Sequence, residues 1–529
     1  MSDLQAQQPA EPRPPGATVR PTGAGRGVLY IAFAKFYFML AGLVIQIRLP
    51  AVLSRAAFGS FSLVSNIASL VNNVLVTGTI QSVSRFTAQD PGAARRVQQA
   101  GLRMHVRLGL VIAVGFIAAA PLVAWLLHDM TKTAPLMLAG LIVGGYSFYA
   151  VFVGTANGLQ EFHKQAGLDM TFATLRVAGL LGMAMAGFGV TGVIGGWVAA
   201  VGLILCAAVV WVGLPGPVAR EDRLPVRPMI AFFLGVALYL VLFNALMFVD
   251  SILIKRLTTE YYAAANRPDP SVLADVQNGY YAAVQNLARL PYQAIIAATF
   301  VVFPLVSRST FTEDRETTRR YVQITTRYSL IFAMALAVVM AANPADVLGL
   351  VYAPDYAENG AAALTALALG NVAFSIFAIA GTILNGAGKT LPAVITAALT
   401  LALAAVGNYI AIPIAAERGS VLVVAAAVTS GAMGVGALAS GWALRRELGA
   451  FLPVGSVVRV VIATAAAIAV GRERLVERVL PLRGKPMTLI QAVVVGVAFL
   501  AVLVITRELG RRDLEAIKAV RRNRARNEV

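Results

Sequence analysis

The sequence predicts an all-α polytopic membrane protein: about 14 transmembrane helices, forming two six-helix lobes in parallel repeat around a central cavity, plus two C-terminal helices. Three observations predict it. Of 529 residues, 58% are apolar and only 13% charged, and the apolar ones gather into runs of about 20, enough to cross roughly 30 Å of hydrocarbon. Two of these runs carry a polar stripe along one helical face. Short motifs in the first half recur in the second at a near-constant offset.

In chain order, residues 1–26 are Pro-, Gly- and Ala-rich and read as a disordered cytoplasmic tail, without the early apolar core of a cleaved signal peptide. Spans at 27–49, 59–84, 103–127, 134–157, 166–188 and 191–213 make a first lobe, 27–213. Segment 214–228 holds Pro215, Pro217, Pro225 and Pro228 among charges and reads as a cytoplasmic linker. Spans at 229–256, 277–305, 324–343, 361–385, 390–413 and 419–443 make a second lobe, 229–443. Two more, 453–470 and 487–506, occupy 453–506, and 507–529 is a basic cytoplasmic tail.

With the N-terminus inside, the cytoplasmic side carries 28 Lys and Arg and the other side 12, the bias expected of loops that stay inside. The net charge of +18 therefore marks membrane topology and excludes nucleic acid as the partner. The C-terminal tail interleaves its eight basic residues with Leu509, Leu514, Ile517 and Val520, as a segment lying on an anionic membrane surface would. Segment 471–485, with Arg472, Arg474, Arg478, Arg483 and Lys485, is a basic outer loop that runs against the bias. One cysteine, Cys206, excludes an internal disulfide, and His105, His128 and His163 are scattered near span ends, so no metal site is expected.

The first polar stripe comprises Ser62, Ser65, Asn66, Ser69, Asn72, Asn73 and Thr77, within roughly 140° of one face at about 100° per residue. The second comprises Asn278, Tyr281, Gln285, Asn286, Arg289, Tyr292 and Gln293. Neither can face lipid, where an unsatisfied polar group costs several kcal/mol. Asn66, Asn73, Gln285 and Asn286 are therefore expected to line a polar interior. The segment beginning Phe58-Gly59-Ser60-Phe61 aligns with Asn278-Gly279-Tyr280-Tyr281, and both helices end in Ser-Arg, at Ser84-Arg85 and Ser307-Arg308. Gly154-Thr155-Ala156-Asn157-Gly158 likewise matches Gly381-Thr382-Ile383-Leu384-Asn385-Gly386. An even number of spans per copy makes the repeats parallel.

Four ionisable residues lie at membrane depth: Lys35, Arg176, Asp250 and Arg289. Arg176 has Asp169 two turns away as a structural partner, Asp250 could pair with Arg289, and Lys35 could snorkel inward. The excess is cationic, and Arg and Lys suit a diphosphate. Lys35, Arg176 and Arg289 are the candidate substrate contacts. Arg48, Arg55, Lys255 and Arg256, near outer span ends, are headgroup anchors or the rim of the cavity.

Leu49-Pro50-Ala51-Val52-Leu53-Ser54 with Phe58-Gly59-Ser60-Phe61-Ser62-Leu63 resembles the first-loop signature of polysaccharide-biosynthesis flippases, and Thr77-Gly78-Thr79-Ile80-Gln81-Ser82-Val83-Ser84-Arg85 resembles their second-span ending. Asn385-Gly386-Ala387-Gly388-Lys389 with Pro392, and Val347-Leu348 through Tyr352 and Tyr356, are similar to later turns of the same group. These are the multidrug/oligosaccharidyl-lipid/polysaccharide (MOP) exporters, in the branch with O-antigen and lipid II flippases. Ala51-Val52-Leu53-Ser54 lacks their usual glycine. The resemblance implies a transporter that flips an undecaprenyl-diphosphate-linked oligosaccharide between leaflets of a bacterial inner membrane by alternating access, with both termini cytoplasmic. It implies polysaccharide polymerase or export machinery as partners. No cofactor is expected beyond a coupling ion, H+ or Na+, for which Asp250 is the candidate site or else a counter-ion.

Two other functions compete. A multidrug or small-solute antiporter of the same fold needs acidic residues inside, and only Asp250 qualifies. A membrane polymerase or ligase needs a catalytic outer loop; the longest, about 258–276, holds Glu260, Asp269 and Asp275 without an acid/base arrangement. An enzyme is therefore not expected.

Overall fold

The computed structural model describes residues 24–295, 315–473 and 484–510, and among them the regular structure is entirely helical. The helices are α1 (Ala24–Val52), α2 (Arg55–Gln89), α3 (Ala94–Met104), α4 (Leu110–Leu126), α5 (Thr133–Gly158), α6 (Phe162–Met185), α7 (Gly189–Val212) and α8 (Arg227–Ala264). They continue as α9 (Pro270–Ala288), α10 (Arg315–Ala342), α11 (Pro344–Val351), α12 (Pro354–Gly386), α13 (Thr390–Glu417), α14 (Val421–Leu448), α15 (Val454–Arg472) and α16 (Lys485–Ile505). Among the described residues 13 segments are long and apolar enough to cross a membrane, and each coincides with a predicted span. The remaining prediction, 277–305, begins as α9 and runs on into residues outside those described. Ser307-Arg308 lies there too, as do most of tails 1–26 and 507–529 and of segment 471–485.

Local chemistry sets the helix starts. The Ser54 hydroxyl accepts from the Ala57 amide (3.2 Å) and caps α2. Prolines 228, 270, 344, 354 and 486 sit in the first turns of α8, α9, α11, α12 and α16, where a missing N–H is harmless. A π turn, His105–Gly109, joins α3 to α4 within one span.

Helices α1, α2 and α4 to α7 pack on one another, and α8, α9, α10 and α12 to α14 form a second group around α12. The apolar window of α12 is 83% buried, which makes it the core helix of its group. The groups meet where α2 lies against α8 and α9. There the repeat is visible in space. A Cβ on Gly59 would stand 1.8 Å from the Asp275 carbonyl oxygen, and one on Gly279 would stand 2.5 Å from that of Arg55. Each glycine meets the residue four positions before its counterpart, the reciprocal contact that a two-fold relation produces. Only glycine allows helices to cross this closely.

Helices α15 and α16 pack on each other and on α10. Glu508, 2% exposed, joins them: its carboxylate takes Arg327 at 2.7 Å and Arg459 at 2.9 Å. Burial alone would raise its pKa, but hydrogen bonds from Ser456, Arg327 and Arg459 outweigh it and hold the carboxyl below the ordinary Glu value. That contribution is present above the unfolded pKa and is lost as pH falls through the folded one. Glu508→Gln should therefore loosen α15 and α16, read as faster amide hydrogen exchange in these helices at pH 7, with little change in α12.

Candidate functional site

The α2 stripe faces α8 and α9, and two of its amides, Asn66 and Asn73, have partners there, while Asn72 Oδ1 and Ser65 Oγ are buried without one among the described residues. Asn66 Nδ2 donates to Ser251 Oγ (3.3 Å), which donates to Asn278 Oδ1 (2.7 Å), and Asn278 Nδ2 donates to the Gly59 carbonyl (3.0 Å). Nearer the other end, Asn73 Nδ2 donates to Asn244 Oδ1 (2.8 Å), while Asn73 itself stays exposed. Beyond it, Ser82 donates to the Met229 carbonyl, Gly78 lies under the Phe233 ring, and Arg85 covers Phe232. Of the expected lumen lining, Asn66 and Asn73 thus belong, in this conformation, to a hydrogen-bonded seam between the groups. The reason is energetic: polar groups at membrane depth bond to those on the helix packed opposite, here Ser251 and Asn244 of α8.

Beyond Asn278, the second stripe turns into its own group. Asp250, 2% exposed, accepts from Tyr281 Oη (2.7 Å), Gln285 Nε2 (2.9 Å) and the Ser251 amide (2.8 Å). Arg289, which terminates α9, donates to the Met247 carbonyl and lies over the Phe248 ring, 5.0 Å from its centroid. Asp250 and Arg289 face one small pocket, lined also by Met247, Gln285, Asn371 and Phe374. The partnership read from the sequence is thus a shared pocket, and Arg289 makes no ion pair among the described residues. Asn286, by contrast, is half-buried and is not among the described hydrogen-bond partners of Asp250.

Lys35 and Arg176 lie in the first group, apart from Arg289. Helix α1 packs on α6 and scarcely touches α2. This places Lys35 Nζ 2.8 Å from Asp169, with half of its side chain exposed. Arg176, expected to pair with Asp169, instead stacks on Trp197, 4.7 Å from the ring, with Nε buried and unpartnered. The three cations proposed for one chamber are therefore divided between the helical groups.

The rim residues also separate. Arg48 is exposed. Arg55, at the start of α2, makes a bidentate pair with Asp355 at the start of α12 (2.7 and 2.9 Å), and Tyr280 donates to the same carboxylate. Lys255, expected at an exposed rim, is fully buried. Its ammonium meets Asp129 at 2.9 Å and Asp275 at 2.9 Å, and Lys132 meets Asp129 at 2.6 Å and Asp275 at 2.7 Å. Burial would raise the Asp129 pKa, but hydrogen bonds from Lys132, Ser271 and Thr131 hold it well below the usual carboxylate range. Asp129 and Lys132 were not picked out by sequence reasoning, and Asp275 figured there only as an acid of the outer loop with no acid/base partner. The available signal was two opposite charges three residues apart in a very short connection between apolar runs.

Residues 24–310 match the family model for polysaccharide biosynthesis protein, and residues 281–410 match that of MatE. No curated protein matches the chain in sequence. Among solved structures, lipid II flippase MurJ in an inward closed conformation superposes with a TM-score of 0.68 at 12% identity, covering 91% of this chain and 99% of its own. An inward-facing multidrug resistance MATE family transporter of the MOP superfamily gives 0.59 at 16% identity, covering 80% and 98%. A MOP superfamily transporter from Pyrococcus furiosus, whose binding pocket of reverse polarity suggests a different function for it, gives 0.57 at 14% identity, covering 80% and 96%. At these identities the likeness shows the fold.

Proposed function

The chain belongs to the polysaccharide biosynthesis protein family, and on that premise we propose that it flips a polyprenyl-diphosphate-linked oligosaccharide across a bacterial inner membrane by alternating access of its two helical groups. It is a multi-pass membrane transporter of the MOP superfamily. The observation that supports the finer reading is the seam. Amides and hydroxyls of α2, α8 and α9 bond to one another across the boundary between two repeated halves. Such a surface can part into two hydrated walls, which an apolar boundary cannot do without cost. Lobes 27–213 and 229–443 are the moving bodies, with 214–228 as the hinge.

With both termini inside, the α4–α5 and α8–α9 connections lie on the outer face. Arg289, Lys35 and Arg176 are the diphosphate contacts, engaged as the halves part, since guanidinium and ammonium groups match phosphate oxygens. Asn66, Asn73, Gln285 and Asn286 supply hydrogen bonds to the sugar. The test is reconstitution of the full chain in vesicles with a labelled undecaprenyl-diphosphate disaccharide, following its exchange between leaflets. An exchange rate no faster than that of protein-free vesicles rejects the proposal.

A second reading has one observation in its favour. Asp250 is a buried carboxylate facing a pocket, as an ion-coupled antiporter of drugs or small solutes requires. Asp250→Asn distinguishes the two. For a flippase using Asp250 only as counter-ion, the variant keeps most glycolipid exchange. For the antiporter, it abolishes drug resistance and leaves cell-surface glycan unchanged.

A further inference from the structure

The four buried charges at the outer end take no part in the cation contacts described above, yet they connect the halves. Asp129 and Lys132 belong to the α4–α5 connection of the first group, and Lys255 and Asp275 to α8 and α9 of the second. All four side chains are at most 6% exposed. Directly alongside, Gly59 and Gly279 bring the α2 and α9 backbones into contact.

Each lysine meets one carboxylate in each half. Across the boundary, Lys132 Nζ donates to Asp275 Oδ2 (2.7 Å) and Lys255 Nζ donates to Asp129 Oδ2 (2.9 Å). Their partners within the same half, Asp129 for Lys132 and Asp275 for Lys255, lie as close, at 2.6 and 2.9 Å. Each half also holds neutral donors or acceptors of its own. Thr131 donates to Asp129, and Lys255 donates to the Ser271 carbonyl and hydroxyl.

We propose that this network is the latch of the outer gate: two crossed ion pairs hold it shut, and it opens by dividing into two neutral pairs, Asp129–Lys132 and Lys255–Asp275, each of which stays with its own half. Stranding a buried charge is strongly destabilising, so a gate built from a single crossed pair would leave a bare charge on either face. Here division strands none, because each lysine already holds a carboxylate of its own half as closely as the one across the boundary. Within this network, the contacts given up are the two crossed pairs and the bond from Ser271 Oγ to Asp129 (2.5 Å). The inference rests on the alternating-access reading above.

The test uses the full chain carrying Cys206→Ala, with spin labels on Met130→Cys and Val272→Cys, two exposed positions flanking the network. Lys255→Met with Asp275→Leu removes both crossed pairs and leaves Asp129–Lys132 neutral. Lys132→Met with Asp275→Leu leaves the crossed pair Lys255–Asp129. A longer label separation should appear in the first variant and be much rarer in the second; identical distance distributions in both overturn the latch. A second arm needs no charge removed. Thr131→Cys and Ser271→Cys, whose native hydroxyls both bond Asp129, are bridged by a short thiol-reactive linker. With a bis-methanethiosulfonate as the linker, joined to each cysteine by a disulfide, bridging should slow glycolipid exchange about tenfold or more, with recovery when those disulfides are reduced; undiminished exchange in the bridged protein overturns the latch. If the unbridged protein moves no glycolipid while the label distances behave as expected, the transport reading falls and the latch holds.

Discussion

Replacing Arg289 by Ala is expected to abolish glycan export while leaving the protein in the membrane at its normal level. The guanidinium contributes charge-assisted hydrogen bonds worth about 1.5–3 kcal/mol each, so its loss lowers diphosphate affinity by about 10- to 100-fold. The fold should tolerate the change because Asp250 keeps Tyr281, Gln285 and Ser251 as donors. What is lost structurally is one bond to the Met247 carbonyl and the contact with the Phe248 ring. Arg289→Lys retains the charge without the planar fork and should recover part of the rate. Vesicle exchange of the labelled glycolipid measures both variants. Normal exchange by the alanine variant removes Arg289 from the site.

Lys255→Met has the largest expected effect on stability. It leaves two buried aspartates facing one lysine, and removing one partner of a buried ion pair costs about 3–5 kcal/mol. Pairing the change with Asp275→Leu restores neutrality, and this double variant should recover most of the loss, since apolar groups of similar volume can replace a buried pair with little penalty. Thermal unfolding in detergent checks the order: wild type and the double variant close together, the single variant well below. A single variant as stable as the wild type would mean that Lys255 is not the neutralising charge of this network.

The spans were legible because hydropathy is a property of contiguous residues, and bilayer thickness converts it directly into helix length. Seven polar residues on one face of α2 could not meet lipid whatever else the chain did. That the stripe would be bonded shut was not legible, since it depends on which helix lies opposite. Ser251 and Asn244 become its partners only because α8 runs beside α2. The family resemblance was carried by turns and span endings, and the match over residues 24–310 bears it out.

By itself, the sequence determined an all-helical polytopic membrane protein, its span positions and the two polar faces. Hydrophobicity and helical period act over a few residues and need no knowledge of neighbours. Tertiary structure alone decided who pairs with whom at depth. Asp169 was within reach of Arg176 along one helix, yet it binds Lys35 because α1 packs against α6, and Arg176 turns to Trp197. Lys255, near a span end where solvent was expected, is sealed between two aspartates contributed by different halves. A charge at membrane depth takes the partner that minimises its desolvation cost, and that choice is made by helix packing across more than a hundred residues of chain.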